Sequence, residues 1–151
     1  MSTVTVRQAV LSDLDALVPL FDGYRQFYGR ASDVRAARDF LQARFNHGES
    51  ILFIAHEGDA PVGFTQLYPS FSSISLARVF VLNDLFVREQ ERRKGVGATL
   101  IAAAAEFARS LGAVRLTLST ATTNETAQAL YRSTGWKRDE QFLVYHLAIP
   151  A

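Results

Sequence analysis

The sequence contains no cysteine, and this absence excludes disulfides, thiolate metal sites and any mechanism with a cysteine nucleophile. The sequence has no large excess of charge of one sign, because it contains 16 Lys and Arg residues and 15 Asp and Glu residues, for a formal net charge of +1. The basic residues are scattered, which disfavours a nucleic-acid partner. Apolar runs fall short of the roughly 18 residues that a membrane-spanning helix needs, and no signal peptide is recognisable. We therefore expect a soluble, cytoplasmic protein without a membrane partner.

The length and composition are those of one globular domain. A chain of 151 residues can bury a real core but is short for two domains. Hydrophobic residues make up 48% and charged residues 21%, which is close to average globular usage. We therefore expect a single domain over residues 1–151.

Hydrophobic periodicity and turn residues predict ten elements in the order β, α, α, β, β, β, α, β, α, β. The predicted strands are 3–10, 51–56, 62–68, 78–87, 114–120 and 141–149, and the predicted helices are 12–24, 33–47, 96–111 and 124–134. The serine-rich stretch 70–75 is expected to be a loop. This order is typical of a mixed α/β layer fold.

The most informative segment is a tight turn between a strand and a helix, Arg92-Arg-Lys-Gly-Val-Gly-Ala98. The N-terminus of a helix has unpaired backbone N–H groups and partial positive charge, so it can bind phosphate or pyrophosphate. Gly95 and Gly97 would let a ligand approach the backbone, since neither carries a side chain. Arg92, Arg93 and Lys94 add positive charge at the same place.

Short glycine patterns are individually weak, and two other phosphate-binding motifs also contain them. A P-loop requires a Gly-Lys-Ser/Thr ending, which this sequence lacks. The dinucleotide fingerprint requires three glycines, and the third is missing here. A nucleotide-binding protein of another family is therefore disfavoured.

Two motifs resemble those of the GCN5-related N-acetyltransferase (GNAT) superfamily. Its Gln/Arg-x-x-Gly-x-Gly/Ala pattern is matched by Arg92, Gly95 and Gly97. Its second motif is matched by Asn124, Ala127, Leu130-Tyr131 and Gly135-Trp136. The segments 24–28 and 49–55 look like the Hpa2-type branch of the same superfamily. The likeness spans nearly the whole chain, with both motifs in the right order.

The resemblance implies a mixed, mostly antiparallel central sheet flanked by helices, with acetyl-CoA as the acetyl donor. The strands before and after the turn would splay apart to admit the pantetheine arm. The implied cofactor-binding residues are Leu85, Phe86, Val87, Arg92, Arg93, Lys94, Gly95, Val96, Gly97, Ala98 and Asn124. Family habit also suggests a homodimer formed through the segment 141–149. An alternative function on the same fold is a non-catalytic acyl-CoA sensor or interaction module.

A transfer from a thioester to an amine needs a base, a polarised carbonyl and an acid. A backbone N–H between Leu85 and Val87 could polarise the carbonyl, and the resemblance makes Tyr131 the acid that protonates the sulfur. Asp84 is the candidate base, although strand alternation leaves open whether it or Asn83 faces the cleft. Without a cysteine, direct attack by the amine is favoured.

The acceptor is not encoded in a recognisable motif. A small amine, a polyamine or a peptide amino group all remain possible, and loops such as 70–75 would select among them. The first two helices border the acceptor site in this fold, which makes Asp22, Tyr24 and Tyr28 candidates to line it. The three histidines, His47, His56 and His146, are scattered over different elements, so no metal site is expected.

Overall fold

The computed structural model describes residues 3–151, which fall into two compact units, one up to Ser119 and one from Thr120 to Ala151. The first unit contains the strands β1 (Val4–Gln8), β2 (Ile51–Glu57), β3 (Ala60–Ser72), β4 (Ala77–Val87) and β5 (Leu116–Thr117). Its helices are α1 (Leu14–Phe27), α2 (Val34–His47) and α3 (Val96–Ser110). The second unit contains α4 (Glu125–Ser133). The expectation of a single domain stays a prediction.

The five strands form one sheet in the order β1-β2-β3-β4-β5. The pairs β1–β2, β2–β3 and β3–β4 are antiparallel, whereas β4 and β5 are parallel. The parallel pair is joined through α3, as a strand–helix–strand unit requires. The predicted α/β fold, with a mixed and mostly antiparallel sheet flanked by helices, is confirmed.

Alternating side chains of β2 bury both faces of the sheet. Leu52 and Ile54 belong to the apolar cluster formed with α1 and α2. Phe53, between them, points to the opposite face, where its ring lies 5.7 Å from that of Phe107 on α3. Phe107 also contacts Phe80 of β4, again at 5.7 Å between ring centroids. The helices α1 and α2 therefore cover one face, and α3 covers the other.

Local signals set the ends of α2 as the sequence predicts. The Asp33 side chain accepts a hydrogen bond from the Ala36 backbone N–H at 3.0 Å, which caps the N-terminus. Gly48 ends the helix in the left-handed conformation, with φ of 60°. In α1, the helix runs through Pro19 without interruption.

Two predicted segments have different bounds in the structure. The stretch 70–75 is not a loop throughout, because β3 continues to Ser72 and pairs there with Ala77 at the start of β4. The predicted strand 114–120 is assigned as a strand only at Leu116–Thr117. In both cases cross-strand pairing, which is not visible in a local pattern, decides where a strand ends.

The predicted strand 141–149 was wrong, so the last β of the predicted order is not formed. No residue of this segment is assigned to a strand or helix. Its apolar side chains are exposed, as shown by Phe142 (74%), Val144 (77%) and Leu147 (88%). A strand needs a neighbouring strand to satisfy its backbone, and the sheet of the described residues pairs none with this segment.

No helix within residues 3–151 is long and apolar enough to cross a membrane.

Candidate active site

A β-bulge in β4 positions the predicted base. Gln66 of β3 pairs with Asp84, but the next pair is Leu67 with Leu82, so Asn83 is an extra residue on β4. A bulge interrupts the alternation of side chains along a strand. Both Asn83 and Asp84 line the same cavity as a result. Strand alternation left open whether Asn83 or Asp84 faces the cleft. In the structure both residues line the cavity.

Asp84 is a buried carboxylate with amide donors on each oxygen. It is only 1% exposed. The Gln66 Nε2 donates to Oδ2 at 2.6 Å, and the Asn83 Nδ2 donates to Oδ1 at 2.7 Å. Burial raises the pKa of Asp84 above its ordinary value, although hydrogen bonds from Asn83, Gln66 and Tyr24 act in the opposite direction. Asp84 is therefore a stronger base than an exposed aspartate.

The cavity next to Asp84 has a volume of about 400 Å³ and lies between α1, α2 and the strands β3 and β4. Its aromatic lining consists of Phe21, Tyr24, Phe40 and Tyr68. Burial and the nearby Asp84 raise the pKa of Tyr68 to about 12, so its phenol is neutral near pH 7. The cavity therefore combines apolar walls with a few polar groups, as small-molecule sites do.

The three candidates for the acceptor site on α1 have different roles. Tyr24 lines the cavity, and its hydroxyl donates to the Asn83 carbonyl at 3.0 Å. Asp22 is buried and accepts hydrogen bonds from the Ser32 hydroxyl at 2.7 Å and the Asp33 N–H at 2.8 Å. It therefore ties α1 to the segment before α2. Tyr28 does not line the cavity but packs against Tyr24, with ring centroids 5.1 Å apart.

The strands β4 and β5 are paired over only two residues of each strand. The described pairing ends at Val81 with Thr117, whereas β4 continues to Val87. The Arg88 N–H donates to the Val62 carbonyl of β3 at 2.9 Å. Because backbone groups alternate along a strand, those of Leu85 and Val87 then face away from β3. These N–H groups lie along the edge that β5 leaves open.

The turn before α3 leaves the start of that helix accessible. Gly95 adopts a left-handed conformation, with φ of 81°, and no side chain of the described residues caps the helix. The first intrahelical bond runs from the Thr99 N–H to the Gly95 carbonyl at 3.0 Å. The N–H groups of Val96, Gly97 and Ala98 precede this bond. The terminus therefore fits an anionic group of a ligand.

Arg92, which was predicted to contact phosphate, also makes structural contacts. Its Nε donates to the Val87 carbonyl at 2.9 Å. Its guanidinium lies over two aromatic rings, 5.5 Å from the centroid of Phe27 and 5.7 Å from that of Phe86. Arg92 thus holds the end of β4, α1 and the turn together.

The other two basic residues of the turn differ in their surroundings. The Lys94 Nζ lies 3.0 Å from a Glu91 oxygen and 3.9 Å from a Glu57 oxygen. The hydrogen bond to Glu91 and the charges of both carboxylates raise the pKa of Lys94. Arg93 is exposed, with a left-handed φ of 67°.

The second unit carries the predicted acid. The Asn124 Oδ1 accepts from the Ala127 N–H at 3.2 Å, so Asn124 caps α4. Tyr131 lies in the last half of α4, and its ring is 5.9 Å from that of Trp136. The Tyr131 carbonyl also accepts from the Trp136 N–H at 3.0 Å, which fixes the chain just after the helix. The two motif residues therefore share one short helix.

The model of the Acetyltransferase (GNAT) family matches residues 16–136 of the chain. The chain belongs to the GNAT family. A relative from Bacillus subtilis (strain 168), described as the uncharacterized N-acetyltransferase YhfO, is 47% identical over 148 residues, which covers 98% of this chain and 99% of the relative. A crystal structure of a probable acetyltransferase superposes with a TM-score of 0.91 at 45% identity, covering 97% of this chain and 99% of that one.

The GNAT fold is also shared with a protein solved with CoA. The aminoglycoside N-acetyltransferase AAC(6')-Iy in complex with CoA has a TM-score of 0.80 over 99% of this chain and 97% of that one, at 20% identity. The predicted superfamily and the predicted enzyme class, an N-acetyltransferase, are confirmed. Within the described part of the GNAT chain, no group of three His, Cys, Asp or Glu side chains is placed to hold a metal ion.

The aromatic cavity shows what the sequence analysis missed. Phe21, Phe40, Tyr68 and Arg25 line it but were not singled out. The one visible signal was for Arg25, which stands between aromatic residues in the segment 24–28.

Proposed function

We propose that this GNAT enzyme transfers the acetyl group of acetyl-CoA to a primary amine that enters the cavity ending at Asp84. The observation that carries the proposal is the position of the Asp84 carboxylate. It is buried with a raised pKa and lines an aromatic cavity. The next residue, Leu85, lies on the part of β4 that has no described pairing with β5. When bound, acetyl-CoA supplies an activated acetyl thioester, whose carbonyl carbon bonds to the amine nitrogen as the C–S bond breaks. The absence of cysteine from the sequence favours this direct attack.

Asp84 would take the proton that the amine must lose. A free primary amine has a pKa of roughly 10, so most of it is protonated at neutral pH. The raised pKa of Asp84 reduces the difference between the pKa of the base and the pKa of the amine. Proton transfer from the amine to Asp84 is therefore less unfavourable. The donors on both carboxylate oxygens, Gln66 and Asn83, hold the group in one orientation.

The contacts to the cofactor would come mainly from the backbone. The N–H groups of Leu85 and Val87 at the open edge would orient the pantetheine arm and polarise the carbonyl. The start of α3 would bind the pyrophosphate, where Val96 contributes only its N–H because its side chain is 1% exposed. The full set remains Leu85, Phe86, Val87, Arg92, Arg93, Lys94, Gly95, Val96, Gly97, Ala98 and Asn124. Tyr131 would protonate the departing sulfur.

Gly97→Glu is expected to raise the dissociation constant for acetyl-CoA at least about tenfold, since a carboxylate at a helix N-terminus opposes the bound pyrophosphate and fills its space. Isothermal titration calorimetry measures this change. The matched control is Ala105→Glu, which adds the same charge to the exposed side of the same helix. An unchanged affinity in Gly97→Glu would exclude the turn as the pyrophosphate site.

The transfer itself is tested by thiol release with a panel of amines.

A second copy of the chain is the proposed partner. The segment 141–149 is rich in apolar residues and exposes Phe142, Val144 and Leu147, so a partner chain could pair with its backbone and cover those side chains. We expect wild type to scatter light with twice the mass of the chain. The double variant Val144→Asp, Leu147→Asp should be a monomer, whereas Ser110→Asp should not change the mass. A monomeric wild type at micromolar concentration would contradict the proposal.

The cytoplasmic location stays a prediction.

A further inference from the structure

Two residues with full charges line the acceptor cavity, and their charges are opposite. Asp84 supplies the carboxylate and Arg25 of α1 supplies a guanidinium. The remaining lining is aromatic, small or neutral. An acceptor with several ammonium groups, such as a polyamine, would place a cation beside Arg25 with one carboxylate to balance it. The charge pattern fits a molecule that carries one charge of each sign.

Arg25, which is half-buried, lines the cavity without a hydrogen-bond or ion-pair partner for its side chain within residues 3–151. By contrast, Arg38 binds Asp15 at 2.6 Å, and Arg44 lies 3.2 Å from Glu49. Asp22, the acidic residue nearest in sequence, already accepts hydrogen bonds from Ser32 and Asp33 before α2. The cavity is thus lined by a half-buried arginine whose charge has no acceptor among residues 3–151.

The chemistry of the two groups assigns the two ends of the ligand. A guanidinium binds a carboxylate through paired N–H donors, which makes arginine the usual residue for that recognition. The rings of Tyr24 and Tyr68 favour an alkyl chain or an ammonium group between the two ends. A volume of about 400 Å³ is near the lower end for ligand sites, so the ligand is small.

We infer that the acceptor is an amino acid, whose carboxylate binds Arg25 while its reacting amine points to Asp84. This inference rests on the proposed function, because it names the substrate class of the same cavity. Arg25 determines specificity through substrate binding, and Asp84 acts on the amine.

The test compares acceptors that differ only in the carboxylate. L-Lysine is paired with 1,5-diaminopentane, and 5-aminopentanoate is paired with pentylamine. Thiol release from acetyl-CoA gives kcat and KM for wild type, Arg25→Gln and the control Arg35→Gln, which removes an exposed arginine of α2. Wild type should prefer at least one carboxylate-bearing acceptor. Arg25→Gln should raise the KM of that acceptor roughly 10- to 100-fold, the usual range for a lost charged hydrogen bond, and leave the partner without a carboxylate unchanged.

Three results would overturn the inference or separate it from the proposed function. Equal kcat/KM values within both pairs, or a preference for the diamine, would overturn it. An Arg25→Gln variant that keeps the wild-type preference would also overturn it. If no amine releases thiol, the proposed function fails, and calorimetry of L-lysine and 5-aminopentanoate with the free protein then decides. Binding that is lost in Arg25→Gln supports the inference, and absence of binding by wild type contradicts it.

Discussion

Tyr131→Phe is expected to lower kcat by about 100- to 10,000-fold, the usual contribution of general acid catalysis. The variant removes only the hydroxyl that would protonate the departing sulfur. The ring contact with Trp136, at 5.9 Å between centroids, is retained, so α4 should fold as before. The affinity for acetyl-CoA should stay close to that of wild type. Steady-state kinetics with saturating cofactor, together with calorimetry, measures both quantities.

The control for this variant is Tyr145→Phe, which removes a hydroxyl from an exposed tyrosine of the same unit. It should leave kcat unchanged. A Tyr131→Phe variant with wild-type kcat would assign Tyr131 to packing alone. A loss of rate accompanied by weak cofactor binding would instead indicate that the hydroxyl acts in binding.

Asp84→Asn is expected to lower kcat by a similar factor of about 100 to 10,000, because it removes the basic group next to the reacting amine. If Asp84 only attracts the protonated amine, KM should rise while kcat stays near that of wild type. The amide replaces one acceptor oxygen by a donor beside Gln66 and Asn83. Folding of the variant is therefore checked by thermal unfolding. The control Asp39→Asn removes an exposed carboxylate from α2.

The pH profile gives the same prediction a second measurement. A general base works in its deprotonated form, so kcat/KM of wild type should fall as pH drops through the pKa of Asp84. Burial raises this pKa, so the fall in kcat/KM at low pH should occur at a higher pH than the pKa of an ordinary aspartate would give. This fall should be missing in Asp84→Asn, and part of the lost rate should return at alkaline pH, where more amine is neutral. A variant with wild-type rate, KM and profile would exclude Asp84 as base.

The sequence predicted the fold well because its signals are local. The α2 helix begins after its N-terminal cap residue, Asp33, and ends before Gly48, and both signals are recognisable in the sequence. The α/β order follows from periodicity, and the turn at Gly95 follows from a motif. The segment 141–149 was predicted wrongly, because its apolar and aromatic residues show strand propensity but not whether a partner strand exists.

The site was less predictable because it depends on register and on distant contacts. The bulge at Asn83 follows from the pairing of β3 with β4, and no local pattern marks it. Arg92 lies over Phe27, which is 65 positions earlier in the sequence. Arg25 was overlooked because a single arginine on an aromatic helix resembles a surface charge until the cavity beside it is seen.

The central claim is acetyl transfer to an amine at the cavity that ends at Asp84. The most direct measurement incubates wild type with acetyl-CoA and a panel of amino acids, alkylamines, polyamines and peptides. Free thiol is followed continuously, and the products are weighed by mass spectrometry. We predict thiol release that depends on the amine, an added acetyl group on the nitrogen of at least one acceptor, and loss of both in Asp84→Asn. Tight binding of acetyl-CoA with no amine-dependent thiol release and no acetylated product would contradict the account.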